Sequence, residues 1–326
     1  MIDFCILGSG ISGSTIANML IKKKYSVQVF DKAKGLGGRS SNKRYKNNLS
    51  FDHGLQYISP KNKKFLNFIK KLNKIKILKK WEGEHLDFSF EKKIKKTKYI
   101  GRYGNNDISK YLLKKIKIKL SSEIKSIKRE EKNWKITLEN NEIFLFKNLI
   151  LTCPFPQVLV LARKYIDRKI CRLKIKMEPN ITVMLAVKDN VNIPVSSIKF
   201  NDKILSWAAY ENSKKRFKTN LNLWTIQTNI NFSKKIINIY KKKKNFFLSK
   251  IVNKFCDLTG ADKKKIAFCK IHGWKYSYNL KSTRIKSYWN NKYNIGLCGD
   301  WFLGPIAENA WLSAINLSSK FKNKKS

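Results

Sequence analysis

Apolar positions along this chain fall in short blocks, each bounded by glycine, proline or lysine. The run Asp3-Phe4-Cys5-Ile6-Leu7 has the length and apolar content of a buried parallel strand, and Ser14 to Ile21 has the spacing that opens a helix. Tyr25 to Phe30 alternates as a second strand and ends at Asp31. Helical periodicity returns at Asn62 to Leu72 and at Ile108 to Leu113. Ile124 to Ile127, Trp134 to Leu138 and Asn148 to Thr152 read as strands, the last closed by Pro154 and Pro156. Short apolar runs at Ile181 to Val187, Leu205 to Tyr210 and Leu223 to Gln227 predict a separate sheet, followed by a lysine-laden helical region from Ser233 to Leu258. A last strand, Ile295 to Cys298, runs into Gly299-Asp300 and a closing helix. Pro305 suits the first turn of that helix, and Ala310, Ala314, Leu317 and Phe321 share one of its faces.

The segment ILGSGISGSTIA, residues 6 to 17, joins the first strand to the first helix and carries Gly8, Gly10 and Gly13. In a dinucleotide-binding βαβ unit the first glycine permits the tight turn and the second lets backbone approach a pyrophosphate. The third allows helix to pack closely on strand, and the helix N-terminus then faces the phosphates. An acid at the end of the second strand, here Asp31, accepts hydrogen bonds from the ribose hydroxyls. The order of elements predicts a discontinuous dinucleotide domain made of residues 1–75, 100–155 and 290–326. A mixed α+β substrate domain, residues 76–99 and 156–289, is inserted in it.

Composition narrows the class. The 326 residues are 42% hydrophobic, enough for a sizeable core. The first apolar run is too short for a signal h-region, and no stretch approaches the roughly 20 apolar residues of a membrane span, so a soluble cytoplasmic protein is expected. Six scattered cysteines without a CxxC pair read as buried reduced thiols, and with three histidines a metal site is not expected. Lysine and arginine number 70 against 22 acidic residues, a net charge of +48. The excess is spread along the chain in runs such as Lys22 to Lys24, Lys92-Lys93 and Lys241 to Lys244, with no base-reading motif. Such a surface predicts nonspecific polyanion binding, no specific nucleic-acid partner, and steering of anionic substrates.

A second glycine cluster, Gly35-Leu36-Gly37-Gly38-Arg39, follows Asp31 closely. Its glycines would let backbone pass beside a bound dinucleotide with Arg39 available to the phosphates. The stretches DKAKGLGGRSSNKR, FDHGLQY (Phe51 to Tyr57), HGWKYSY (His272 to Tyr278) and CGDWFLGPIAENAWLSA (Cys298 to Ala314), in this order, resemble the renalase-like FAD-dependent oxidoreductases, relatives of the flavin amine oxidases. The resemblance spans nearly the whole chain and is dense at both ends. It implies a glutathione-reductase-like Rossmann FAD domain with a mixed-sheet substrate domain, and noncovalently bound FAD. It also implies oxidation of a small molecule, a dihydropyridine form of NAD(P)H, with oxygen reduced to hydrogen peroxide.

Carried over by motif, Gly8, Gly10 and Gly13 would hold the pyrophosphate and Asp31 the adenosine ribose. Gly37, Gly38 and Arg39 would line the phosphate and ribityl region, with Asp300 at the ribityl or phosphate end. His53, Gln56, His272, Trp274 and Tyr276 would lie near the isoalloxazine, the last three also lining a substrate pocket as catalytic candidates. Ile11, Ser12, Lys32, Gly54 and Glu308 complete the candidate cofactor contacts. Leu55, Ser40 and Lys275 depart from the family's usual small residue, Met and Arg, and GRYGNND (Gly101 to Asp107) only loosely resembles its glycine–proline–glycine segment. These departures bear on the substrate more than on the flavin.

The residues alone leave alternatives open. His53 and His272 read more readily as satisfied packing residues, and Trp274 and Tyr276 equally as a pocket wall or as core aromatics. A flavin amine oxidase or desaturase-type dehydrogenase acting on another small substrate is the second functional reading. A basic nucleic-acid-binding protein with a vestigial dinucleotide fold is the third.

Overall fold

The computed structural model describes residues 1–46, 48–87, 97–188 and 195–324. The Lys92-Lys93 run lies outside them. The first βαβ unit is β1 (Ile2–Leu7), α1 (Ile11–Lys22) and β2 (Val27–Phe30). It is followed by a short hairpin, β3 (Lys43–Arg44) and β4 (Ser50–Phe51), then α2 (Lys63–Lys74), β5 (Leu78–Lys80), β6 (Glu84–Asp87), β7 (Tyr99–Gly101) and α3 (Asp107–Leu113). Next come β8 (Lys117–Lys119), β9 (Ile124–Glu130), β10 (Asn133–Leu138), β11 (Ile143–Leu151), α4 (Phe155–Ala162) and α5 (Arg168–Cys171). The chain continues through β12 (Met177–Val187), β13 (Val195–Lys199), β14 (Leu205–Tyr210), β15 (Asn222–Thr228), α6 (Ile230–Ile236) and α7 (Lys244–Thr259). It closes with β16 (Ile266–Asn279), β17 (Tyr288–Asn290), β18 (Ile295–Leu297) and α8 (Ala307–Ser318).

Two main sheets organise these elements in a mixed α/β fold with a Rossmann-like dinucleotide-binding unit. The first runs β17-β18-β11-β1-β2-β8, with β10 and β9 continuing as a meander from β11. At its centre β1 pairs in parallel with both β11 and β2. Successive side chains of a strand point to opposite faces. Phe4 and Ile6 therefore pack under α1 and α8 with Ile16, Leu20, Ala314 and Leu317, while Cys5 and Leu7 join Trp134, Phe155 and Trp301 on the other face. That is why β1 reads as one unbroken apolar run rather than an alternation.

The second sheet, β16-β12-β15-β14-β13-β6, is antiparallel except for the β13–β6 pair. Along β12, Ile181, Val183 and Leu185 pack with Ile236, Ile251 and Phe255 of α6 and α7. The alternate residues Asn180, Thr182 and Met184 belong to the opposite face, where Met184 packs with Leu49 and Phe51.

Several sequence expectations are corrected. The lysine-laden helical region consists of two helices: α7 is carried by its Phe247, Ile251, Phe255 stripe, while Tyr240 in the intervening turn packs against Gly273. Pro154 and Pro156 do not simply close a strand; they sit at the N-cap and in the first turn of α4, where a missing N–H costs little. Pro305 lies just outside α8, whose N-cap is Ile306. Among the described residues no helix is long and apolar enough to cross a membrane.

Candidate cofactor and substrate site

The turn after β1 is built by its glycines in three distinct ways. Gly8 has φ +110°, and a Cβ there would lie 2.6 Å from Thr152 Oγ1. A Cβ on Gly13 would lie 1.9 Å from the Gly8 carbonyl oxygen, so α1 sits directly on the turn only because position 13 has no side chain. Gly10, at φ −68°, is different: a Cβ there would meet nothing closer than the Gly37 oxygen at 3.7 Å. Gly10 and Gly37 form an isolated parallel bridge, which sets the two glycine segments side by side. At the end of β2, Asp31 accepts hydrogen bonds from Ser9 N at 2.7 Å, Ser9 Oγ at 2.6 Å and Ala33 N at 2.9 Å, which fix its carboxylate beside the turn.

One cavity of about 1760 Å³ starts at this turn and is lined by every candidate residue named from the sequence. At the glycine end are Gly8, Gly10, Ile11, Ser12, Gly13, Asp31, Lys32, Gly37 and Gly38. Arg39, Gly54, Asp300 and Glu308 border it further along, and His53, Gln56, His272, Trp274 and Tyr276 lie at the second sheet.

Some of these residues do other work than expected. Arg39 is not left open to phosphates: its guanidinium grips Asp300 through two hydrogen bonds of 2.8 and 2.5 Å and also donates to Ser277 O at 2.9 Å. The pair ties the second glycine segment to β16 and to the Gly299-Asp300 turn. Glu308 accepts from Lys61 N at 2.7 Å and Asn62 N at 2.9 Å, holding the start of α2. Lys32 reaches Glu123 at 3.5 Å in an exposed pair.

Where β16 meets the 52–56 loop, three rings converge. His53 lies 5.0 Å from His272 and 5.1 Å from Trp274, and His272 lies 4.6 Å from Trp274, between ring centroids. Trp274 Nε1 donates to His53 O at 2.9 Å. A Cβ on Gly54 would lie 2.1 Å from Arg39 O, so this loop tolerates no side chain there. His53 and Gln56 line the cavity with other atoms, while His53 Nδ1 and Gln56 Oε1 are buried within the protein.

Burial lowers the His53 pKa to about 4, helped by the charges of His272 and Lys43. His272 is lowered by burial, then by Lys43, Lys270 and Lys241. Both imidazoles are therefore neutral at pH 7. The unfolded chain binds more protons than the folded one below the ordinary histidine value of about 6.5, so stability falls as pH drops from there toward 4. Urea midpoints measured at pH 7, 6 and 5 are expected to decrease in that order; a midpoint flat over this range would contradict the neutral pair.

Sequence reasoning missed what supports the 52–56 loop. Asp52 Oδ2 is 2.8 Å from Lys214 Nζ and 2.6 Å from Arg216 Nη1, and Lys214 also meets Glu211 at 2.9 Å, all fully or almost fully buried. Asp52 Oδ1 accepts from Asn42 and Asn105, and Arg216 donates twice to Gly101 O. No local signal marks this cluster, because Asp52 and Lys214 are 162 residues apart. Trp207, Tyr57, Asn180 and Gln227, on the cavity wall beyond the three rings, were also missed.

Residues 6–72 match the family model of NAD(P)-binding Rossmann-like domains. A protein of Exiguobacterium sp. 255-15 to which protoporphyrinogen oxidase activity has been ascribed superposes with a TM-score of 0.74 at 10% identity, covering 98% of each chain. Putrescine oxidase bound to putrescine superposes at 0.70 with 9% identity, again over 98% of each chain. A Pyrococcus furiosus protein superposes at 0.67 with 13% identity over 99% of each. The chain shares their fold.

Proposed function

We propose that the protein is an FAD-dependent oxidoreductase of renalase-like type that oxidises a dihydropyridine form of NAD(P)H. The observation that carries this reading is the continuity of one cavity from the Gly8–Gly13 turn to the His53, His272 and Trp274 rings. At about 1760 Å³ it exceeds the roughly 300–1,000 Å³ of an ordinary small-molecule pocket, leaving room for a dinucleotide and a substrate. That the solved structures sharing the fold include proteins called oxidases adds support. In this reading the sheet around β1 belongs to the FAD domain and the sheet around β12 to the substrate domain.

The residues fit noncovalent FAD. Asp31 is placed to accept from ribose hydroxyls, and the N-terminal turns of α1 and α8 border the cavity, where their positive ends favour the pyrophosphate and a reduced, anionic ring. His53 and Gln56 line the cavity where the ring system would lie. FAD supplies the two-electron acceptor, with oxygen as the final oxidant yielding hydrogen peroxide.

The protein's own contribution is position and exclusion of water. Trp274 offers a flat surface to the substrate ring, with His272 standing edge-on to it, and the two buried histidines, lowered in pKa, are weak bases for removing a proton. An electron-rich dihydropyridine needs none removed, because it gains aromaticity on losing hydride. Anaerobic mixing of FAD-saturated protein with 2- or 6-dihydro isomers of NAD(P)H is expected to bleach the flavin quickly, with ordinary NADH and primary amines inactive. Admitting air then restores the colour and forms peroxide. Bleaching by amines with none from any dihydropyridine would replace this substrate by an amine.

A further inference from the structure

The cavity face of the second sheet is laid out in rows by strand register. Trp274 pairs with Asn180, and His272 with Thr182, itself opposite Gln227, which pairs with Trp207; Lys270 stands opposite Met184. Successive same-face residues of a strand are about 6.5–7 Å apart, so Lys270 lies one row beyond His272 and two beyond Trp274, towards solvent. The β3–β4 hairpin meets the same rim: Tyr45 and Phe51 stack on Phe268 of β16 at 4.1 and 6.0 Å between centroids. Lys43 pairs with Phe51 across that hairpin, and Lys270 is two residues from Phe268 on the same face of β16. Both lysines are exposed, both line the cavity, and neither is paired with a carboxylate among the described residues. The charges of both act on His272.

Carboxylates are placed elsewhere. Those lining the cavity are Asp31, Glu123, Asp300 and Glu308. Asp31 and Glu123 stand at the glycine end, Asp300 is held by Arg39, and Glu308 caps α2. Among the described residues a substrate entering along Trp274 and His272 therefore meets uncompensated cations and no acid.

We propose that the outer end of the cavity is a recognition site for the anionic group of a flat substrate, with Lys43 and Lys270 reading the charge while the ring lies along His272 and Trp274. This rests on the reading of the cavity as a flavin and substrate site and adds its charge selectivity. Among the described residues a protonated amine finds no counter-ion there, whereas a ring carrying phosphates finds two ammonium groups.

The test uses FAD-saturated protein and calorimetric titration with NADP+ (anionic), nicotinamide (uncharged) and putrescine (dicationic). Wild type should bind NADP+ and give no binding heat with putrescine. The Lys43→Glu/Lys270→Glu pair should weaken NADP+ by about tenfold or more, since like charges now face the phosphates, and leave nicotinamide unchanged. A control pair, Lys128→Glu/Lys169→Glu, lies outside the cavity lining and changes net charge equally; it should keep wild-type affinity. Equal weakening in both pairs, no weakening in the first, or tight putrescine binding overturns the proposal. Lysine-dependent NADP+ binding without bleaching by any dihydropyridine would sink the hydride reading and leave the anion site standing. Bleaching indifferent to the lysines would do the reverse.

Discussion

Gly10→Val is expected to give a folded protein that no longer retains FAD. At φ −68° and ψ −177° the backbone of Gly10 is extended, a conformation open to valine, and no heavy atom lies within 3.7 Å of the new Cβ. The glycine is therefore not required by the fold itself. What the side chain would fill is the cavity beside the N-terminus of α1, where a pyrophosphate approaches backbone. Gly13→Val, by contrast, should not fold, because its Cβ would lie 1.9 Å from Gly8 O. Flavin absorbance per chain after incubation with FAD and gel filtration, together with circular dichroism, separates the two. Full FAD occupancy in folded Gly10→Val would show that the dinucleotide lies elsewhere.

The second large effect is expected at Asp52→Ala, which leaves Lys214 and Arg216 with less than their full counter-charge in a fully buried cluster. Removing one partner of such a network costs about 3–5 kcal/mol, because the charge left behind cannot be solvated. The urea midpoint should fall accordingly at pH 7. Burial alone would push the Asp52 carboxyl up, but the Arg216 and Lys214 charges outweigh it and hold the group well below the usual range. Its contribution is thus present above the unfolded value of about 3.9 and is lost as pH falls below that. Burial raises Glu211, despite the opposing Lys214 charge; its contribution has the opposite sign, being largest at low pH and lost as pH rises through its folded value. Wild type should accordingly lose more stability than Asp52→Ala between pH 4 and pH 2. A variant as stable as wild type at pH 7 would mean that the cluster does not hold the loop.

The β1–turn–α1–β2 unit was legible because its signals are local: an apolar run, three glycines each with its own task, and an acid at the next strand end. The cavity candidates were legible for a similar reason, since four short motifs carried them. The roles of Arg39 and Glu308 were not. Arg39 reads as a free cation in a glycine loop, yet its partner Asp300 stands 261 residues away. The β16 strand escaped notice because its 14 residues mix lysine, histidine and aromatics, with no apolar stripe; it is one edge of its sheet and one side lines a cavity. The break between α6 and α7 is likewise tertiary in origin, fixed by Tyr240 lying against Gly273, where a Cβ would come 2.6 Å from the ring.

The most direct measurement is the visible absorption spectrum of the purified chain, incubated with excess FAD and freed of unbound ligand by gel filtration. A yellow protein carrying close to one FAD per chain, released into the supernatant on denaturation, is the result expected of a noncovalent flavoenzyme. A folded but colourless protein that retains no FAD would contradict the assignment of the cavity and favour the basic, nucleic-acid-binding reading instead.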